Sequence, residues 1–324
     1  MKEYTITKAD SGQTLIKYLG RILKEAPSGL LHKQLRNKNI TLNGKKATGA
    51  EKLAEADLVK VFMSDETILK FSGALETSES SISVKEYEDA YKRLGRPRII
   101  FENDHIIVFD KPEGILSQKA KKDDISANEW LIGYLLFEKK ISPSDLTHFK
   151  PSVCNRLDRN TAGLMLFGKT VFGTNLLNEI VKDKSLKKYY KTVVLGEFKY
   201  SGLKKSYLLK DEKSNKVELF DKKVPGSSEI AAEFKPLRYS KKNDITEVSV
   251  LLLTGKSHQI RAELEHLGFP VLGDKKYGNS KDKRLSHHIL YAERLVFPVL
   301  KDLPELSDKE FTVDTSEVFD KYFE

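Results

Sequence analysis

The chain has 324 residues, 39% of them hydrophobic, and carries 56 Lys and Arg against 47 Asp and Glu, a formal net charge of +9 at pH 7. That length holds one large or two ordinary domains with a real core, and the single cysteine, Cys154, excludes an internal disulfide and suits a reducing cytoplasm. The opening MKEYTITKAD has no apolar signal region and no run approaches the length of a membrane span, so a soluble, cytoplasmic protein without a membrane partner is expected.

The charge is uneven. Residues 301–324 hold three Lys and eight acids, net −5, which leaves +14 on residues 1–300. A basic body of that size is the footprint of a polyanion binder, although charge alone fits a merely soluble basic protein equally well.

In chain order, Leu15, Leu19, Ile22 and Leu23 fall on one helix face. Pro27-Ser28-Gly29 breaks that helix, and Ser28 is placed to cap the next. The second helix, LLHKQLRNKN, turns Leu31 and Leu35 inward and shows His32, Lys33, Arg36 and Lys38 on its other side. ITLNGKKA follows, with Asn43-Gly44 as a two-residue hairpin turn. DLVKVFM supplies a last strand. Residues 1–64 thus read as a small helix–helix–hairpin module, with five Lys and Arg and no acid between Leu31 and Lys46. Residues 65–97, with ETSESSISVKEYED, read as a linker, with a short helix around Tyr87–Leu94.

From Arg98 the pattern is mixed. RIIFEN and HIIVFDK are short strands around an Asn103-Asp104 turn, and NEWLIGYLLFEKK is a helix. CNRLDRNTAGLMLFGKT comes next, with GLMLFGK as a strand, and Phe172, Leu176, Leu177 and Ile180 make a helical stripe. YYKTVVLGEF, VELFDKK, AEFKPLRY and TEVSVLLLT are further strands. SHQIRAELEHLG is a helix with Ile260, Leu264 and Leu267 on one face and Gly268 at its end. Strands that follow one another directly predict an α+β fold with a mixed, largely antiparallel sheet.

Several chemistries lose support. No His or Cys spacing suits a metal, and His287-His288 is an adjacent pair whose side chains diverge on a strand. TGKSHQIR contains Gly-Lys-Ser, but a phosphate loop also needs Gly at position 250, which is Val. No dinucleotide fingerprint and no G-x-S-x-G elbow is present. Asp158 stands out between Arg156 and Arg159, before a Thr161-Ala162-Gly163 turn that feeds a strand. An acid so placed is more often an ion pair that pins a loop than a catalytic group. Alone, Tyr190 fits packing and Arg261 fits a surface ion pair.

Together these segments resemble the RluA-type pseudouridine synthases, which isomerise uridine in ribosomal or transfer RNA. That family's H-R-L-D-R-D-T-S-G-L-L-L is similar to NRLDRNTAGLML at 155–166, and its Lys-x-Tyr-x-Ala-x-Val-x-Gly segment to KYYKTVVLG at 188–196. Its T-G-R-T-H-Q-I-R is similar to TGKSHQIR at 254–261, and its G-x-P-L-x-G-D-x-x-Y-G to FPVLGDKKYG at 269–278. IIFENDHIIVFDKPEGI also resembles the family's start, so the likeness spans roughly residues 98–298. Residues 1–64 resemble the small α-L RNA-binding module shared with ribosomal protein S-four.

The resemblance implies a pseudouridine synthase fold at 98–300, an N-terminal RNA-binding domain at 1–64, a linker at 65–97 and an acidic tail at 301–324. It makes Asp158 the essential aspartate and Arg261 its partner. Tyr190 would pack on the uracil and help remove the C5 proton, for which a phenol of pKa near 10 is a poor base unless the site tunes it. Arg156 would fill the gap left by the extruded base. Arg159, Lys188, Lys256, His258 and Gln259 would contact RNA in the cleft, and Lys33, Arg36, Lys38 and Lys45 would do so on the module. The implied partner is RNA, foremost large-subunit ribosomal RNA, with transfer RNA as the alternative target and a non-catalytic RNA-binding or ribosome-assembly factor as the rival class. A monomer without metal, nucleotide or other cofactor is expected, since the isomerisation needs no redox step. Asn155, Asn160, Ala162 and the Ser117-Gln118-Lys119 stretch depart from the family pattern; these departures bear on substrate choice rather than chemistry.

Overall fold

The computed structural model describes residues 1–7, 10–72, 84–121, 123–211, 216–278 and 285–324. The N-terminal module begins with β1 (Lys2–Thr5), α1 (Leu15–Ile22), α2 (Ser28–Arg36), β2 (Ile40–Leu42), β3 (Lys45–Lys46) and β4 (Leu58–Val61). Its antiparallel sheet runs β1-β4-β2-β3. Leu15, Leu19, Leu31 and Leu35 are buried against Ile40, Val59 and Val61, as the helical spacing predicts. The hairpin turn places Asn43 at φ 50° and Gly44 at φ 73°, the left-handed pair that a type I′ turn needs. Ser28 is not the cap: it is the first residue of α2, Pro27 precedes it, and no side chain caps that end.

The linker expected at 65–97 is largely folded. α3 (Asp65–Ser72) buries Ile68 in the module's core. α4 (Lys85–Leu94) buries Tyr87 and Ala90 in the second domain, against α5 (Ala127–Phe137). The two helices meet so closely at Gly133 that an added Cβ would lie 2.1 Å from the Tyr87 carbonyl oxygen. The Ser- and Glu-rich part of that expectation falls on residues 73–83, outside the described residues.

The second domain continues with β5 (Arg98–Glu102) and β6 (Ile106–Lys111), then α6 (Asp145–His148), β7 (Ser152–Val153), β8 (Ala162–Gly168), α7 (Val171–Lys182) and β9 (Lys187–Leu195). β10 (Gly202–Asp211), β11 (Lys216–Phe220), β12 (Ser228–Ser240), β13 (Ile245–Leu252), α8 (Gln259–His266) and β14 (Leu290–Val296) follow, with β15 (Glu310–Thr312) and α9 (Ser316–Phe319) last. The main path of its sheet is β11-β10-β12-β13-β9-β14-β8-β6-β5, with β15 on β14 and β7 on β8. All pairs are antiparallel except β14 with β8. The α+β, largely antiparallel expectation is therefore met.

Both faces of the sheet's centre are covered, which explains why β8 and the first four residues of β6 are continuous apolar runs. Ile107, Phe109, Met165 and Phe167 face a core shared with α4, α5 and α8. Their neighbours Ile106, Val108, Leu164 and Leu166 face α7 and the C-terminal segment. That segment corrects the expectation of a tail. Leu303, Leu306, Phe311 and Val313 are buried in the sheet's second core, and Phe319 is buried beside Val193. Its acids dock on the sheet: Asp320 lies 2.5 Å from Arg238 and Glu310 lies 3.3 Å from Arg294. The second domain therefore continues to residue 324.

Candidate active site

Asp158 lies in the loop between β7 and β8, and four ties fix that loop. Asn155 Oδ1 accepts the Leu166 N–H at 2.8 Å. Ser117 Oγ accepts the Leu157 N–H at 2.9 Å and donates to the Leu157 carbonyl at 2.8 Å. Lys111 Nζ donates to the carbonyls of Arg159, Pro112 and Ile115 at 3.2, 2.8 and 2.9 Å. Thr161 donates its N–H to the Asp158 carbonyl, and its hydroxyl meets His288 Nε2 at 3.1 Å. Asn155 and Ser117 thus serve the backbone of the loop, so two of the departures from the family pattern are structural parts.

The loop is delivered to the centre of the sheet. Tyr190 on β9 and Gly163 on β8 both pair with Ala292 on β14. Gly163 has φ 115°, and a Cβ there would fall 2.3 Å from the Ala292 carbonyl oxygen. Only glycine fits both demands.

The Asp158 ion pair is neither with Arg156 nor with Arg159. Asp158 Oδ2 accepts from Arg261 Nη1 at 2.9 Å, across 103 residues of sequence. Arg261 is itself gripped from behind. Its Nε and Nη2 donate to the two oxygens of Asp274 at 2.7 and 2.9 Å, a bidentate fork. Asp274 Oδ1 also accepts the N–H groups of Lys276 and Tyr277. Burial raises the Asp274 carboxyl, but Arg261 and those N–H groups outweigh burial and hold it below the ordinary range. The side chains of Asp274 and Arg261 are 0% and 8% exposed, whereas that of Asp158 is 26% exposed. A buried clamp therefore presents one guanidinium nitrogen to an acid at the cleft wall.

The cleft holds about 1090 Å³. Asp158, Tyr190, Arg261, Arg156, Arg159, Lys188, Lys256, His258 and Gln259 all line it, so every cleft residue singled out in the sequence is brought together. Arg156 and Lys256 are exposed at its wall, and Arg159 leans on Asp124 at 3.9 Å. Lys188 is buried, and burial and then Lys184 lower its pKa. Gln259 differs from the expectation of an RNA contact. It is 2% exposed, and its amide is engaged by Thr254, Lys256, Ala231 and Glu263. Its amide braces the loop before α8. Lys33, Arg36, Lys38 and Lys45 lie exposed on the N-terminal module and are not among the residues that line the cleft.

Tyr190 is buried, and burial followed by the Asp158 charge pushes its phenol well above its ordinary value. The site tunes it away from a base. His288 is pushed down to about 4, by burial first, and stays neutral. Burial brings the Lys111 ammonium down to about 8, against the pull of Asp158, Asp110 and Glu113. Lys111, His288, Asp274 and Tyr277 lie in stretches quoted above, but the sequence does not mark them as site residues. The buried Arg261 is the signal that asks for Asp274, but burial of an arginine is not visible in a sequence.

An acid held by a clamped arginine, over a basic cleft in an antiparallel sheet, defines a site for chemistry on a polyanion. The family model of RNA pseudouridylate synthase matches residues 105–266. An uncharacterized RNA pseudouridine synthase of Mycoplasma genitalium is 30% identical over 307 residues, covering 92% of this chain and 90% of that one. The ribosomal large subunit pseudouridine synthase C of Rickettsia bellii is 29% identical over 284 residues, 87% and 88% of the two chains. In fold, the chain is similar to human RNA pseudouridylate synthase domain containing 4, at a TM-score of 0.55 and 17% identity, over 74% of this chain and 95% of that one. The chain belongs to the RNA pseudouridylate synthase family. It is an isomerase acting on RNA. No helix among the described residues is long and apolar enough to cross a membrane.

Proposed function

We propose that this enzyme converts specific uridines of large-subunit ribosomal RNA to pseudouridine, with Asp158 as the essential carboxylate. The observation that carries the reading is Asp158 itself, held by Arg261 at 2.9 Å yet partly open to a basic cleft. Pseudouridine forms when the N1–C1′ bond breaks, the base turns, C5 bonds to C1′, and C5 then loses its proton while N1 gains one. Breaking that bond puts positive character on the ribose, and a fixed carboxylate beside C1′ stabilises or traps it. Arg261 serves as the orienting partner and Asp274 as its anchor.

Base extrusion costs a few kcal/mol, least in loops and single strands. Phosphate contacts from Arg156, Arg159, Lys188 and Lys256 offset part of it, and Tyr190 gives the extruded uracil an aromatic wall. The basic module, through Lys33, Arg36, Lys38 and Lys45, docks RNA outside the cleft-lining set of residues. The ribosomal target is supported by the name of the relative in Rickettsia bellii, and the +14 charge on residues 1–300 suits an RNA of either kind. An RNA target together with a single free cysteine supports a cytoplasmic site of action.

The test is to incubate the purified protein with unmodified large-subunit ribosomal RNA and, separately, with transfer RNA. Pseudouridine is mapped by reverse-transcription stops after carbodiimide treatment. New stops in the ribosomal RNA are expected. Stops confined to transfer RNA would replace the target, and no stops in either would overturn the reading.

A further inference from the structure

His258 immediately precedes α8 with a left-handed backbone, φ 58°, uncommon for a residue with a side chain and often kept where function needs it. Its ring lines the cleft. Nδ1 lies 2.8 Å from Tyr277 Oη. That phenol oxygen accepts the N–H of Val217, on β11, at 3.0 Å. Tyr277 also packs edge-on against the ring at 5.6 Å.

These contacts allow two placements of the ring's proton. Burial lowers the pKa of His258, and Arg261 and Lys276 assist while Asp158 and Asp274 oppose, so the ring is neutral and bears one N–H. A phenol has one hydrogen to donate. If Nδ1–H donated to Tyr277, the phenol oxygen would accept two N–H groups and its own hydrogen would have no acceptor among the described residues. If Tyr277 donates to Nδ1 instead, Val217 N–H goes to Oη and Oη–H to Nδ1, and the one hydrogen left over is on the ring that lines the cleft rather than on Tyr277, which does not line it. The proton then sits on Nε2, which has no partner among the described residues.

We propose that His258 Nε2–H donates a hydrogen bond to a carbonyl oxygen of the extruded uracil, and that Tyr277 is the positioning residue that fixes this tautomer. The proposal rests on the reading of the cleft as a uridine site. Exposed cations, Arg156 and Lys256, are there for phosphate; a neutral N–H within the field of Asp158 suits a carbonyl. Placed at the C4 carbonyl, the bond also carries specificity: cytosine presents an amino donor there, and two facing donors leave both unpaired.

Two measurements test it. The first is the ¹⁵N spectrum of the histidine rings in the full-length wild type, His258→Gln and Tyr277→Phe. An Nε2–H tautomer is expected for His258 in the wild type and a changed one in Tyr277→Phe; an Nδ1–H tautomer in the wild type overturns the proposal. The second is competition for the reaction by an RNA fragment spanning the mapped uridine, carrying uridine, 2-thiouridine or 4-thiouridine at that position. Wild type is expected to bind one thio RNA about 3- to 10-fold more weakly than the uridine RNA, the scale of one neutral hydrogen bond. His258→Ala loses that difference, and His258→Gln, whose amide N–H reaches toward the Nε2 position, keeps part of it. Wild type indifferent to both sulfur substitutions, or His258→Ala with the wild-type preference, overturns the proposal. So does a change confined to the salt slope, which would make His258 a phosphate contact. If no RNA is modified, the functional reading fails separately, and the spectrum still decides the tautomer.

Discussion

Asp274→Asn separates the support of the ion pair from its chemistry. The Asp274 side chain is 0% exposed and holds Arg261 through two charge-assisted bonds of 2.7 and 2.9 Å. Asparagine keeps the shape but removes the charge, and it turns one acceptor into a donor that faces a guanidinium. Losing one partner of a buried ion pair costs ~3–5 kcal/mol. Asp158 remains as a counter-ion at 2.9 Å, so about 3 kcal/mol is expected. At ~2–4 °C per kcal/mol, Tm falls by ~6–12 °C. The released guanidinium no longer sets Asp158, and a displacement of about 1 Å costs on the order of 100-fold in rate. Calorimetry and single-turnover tritium release from [5-³H]uridine RNA read both effects. RNA affinity, set by phosphate contacts elsewhere, changes little. A variant with Tm within about 2 °C of wild type and an unchanged rate would refute the clamp.

Glu263 gives a pH dependence. It is buried on α8, with one oxygen on Gln259 and the other without a partner among the described residues, and burial raises its carboxyl to about 7, with Gln259 and Lys204 opposing. Its folded value exceeds the unfolded one of 4.5, so the folded state binds more protons between the two. Stability therefore falls as pH rises from about 4.5 to about 7 and is level above, a loss of about 3 kcal/mol. Glu263→Gln should match wild type in Tm near pH 4.5 and exceed it at pH 8; a Tm difference that does not vary with pH contradicts this. On the N-terminal module, neutralising Lys33, Arg36 and Lys45 together should weaken RNA binding and reduce the slope of log K against log salt by ~0.7–0.9 for each phosphate that is no longer paired with a cation. An unchanged slope would mean that this face does not dock RNA.

Much of the fold is legible because its core obeys simple periods. β8 and the IIVF part of β6 are buried on both faces, so they read as unbroken apolar runs, and α1 and α2 show their stripes. β1 and β10 do not announce themselves. β1 is KEYT, with no fully buried residue, and it holds its place through the ladder with β4. β10 is a mostly polar strand that buries only Ser206 and Leu208. The C-terminal segment misleads because eight acids hide five well-spaced apolar residues, Leu303, Leu306, Phe311, Val313 and Phe319. Its charges sit at the rim on Arg238 and Arg294, so net charge says nothing about whether it packs.

The site divides in the same way. Asp158, Tyr190 and Arg261 became candidates through their order along a resemblance, not through spacing, since 103 residues separate the two ends of one 2.9 Å contact. Supporting residues stayed invisible. Lys111 looks like a surface lysine until three carbonyls are found around its ammonium, and Gln259 looks like an RNA contact until its amide is found already spent. Burial decides both roles, and burial is a property of the fold.

Asp158→Asn is the most direct test. Its side chain is 26% exposed and Arg261 keeps Asp274, so the stability cost should be ~1 kcal/mol or less. Wild type and Asp158→Asn are compared for Tm, for affinity toward the ribosomal RNA, and for pseudouridine formed in a single turnover. A folded variant with wild-type RNA affinity and a rate lower by on the order of 10⁴-fold, the scale of losing a catalytic nucleophile, is predicted. A variant that makes pseudouridine at the wild-type rate would contradict the assignment of Asp158 and, with it, the mechanism built on this cleft.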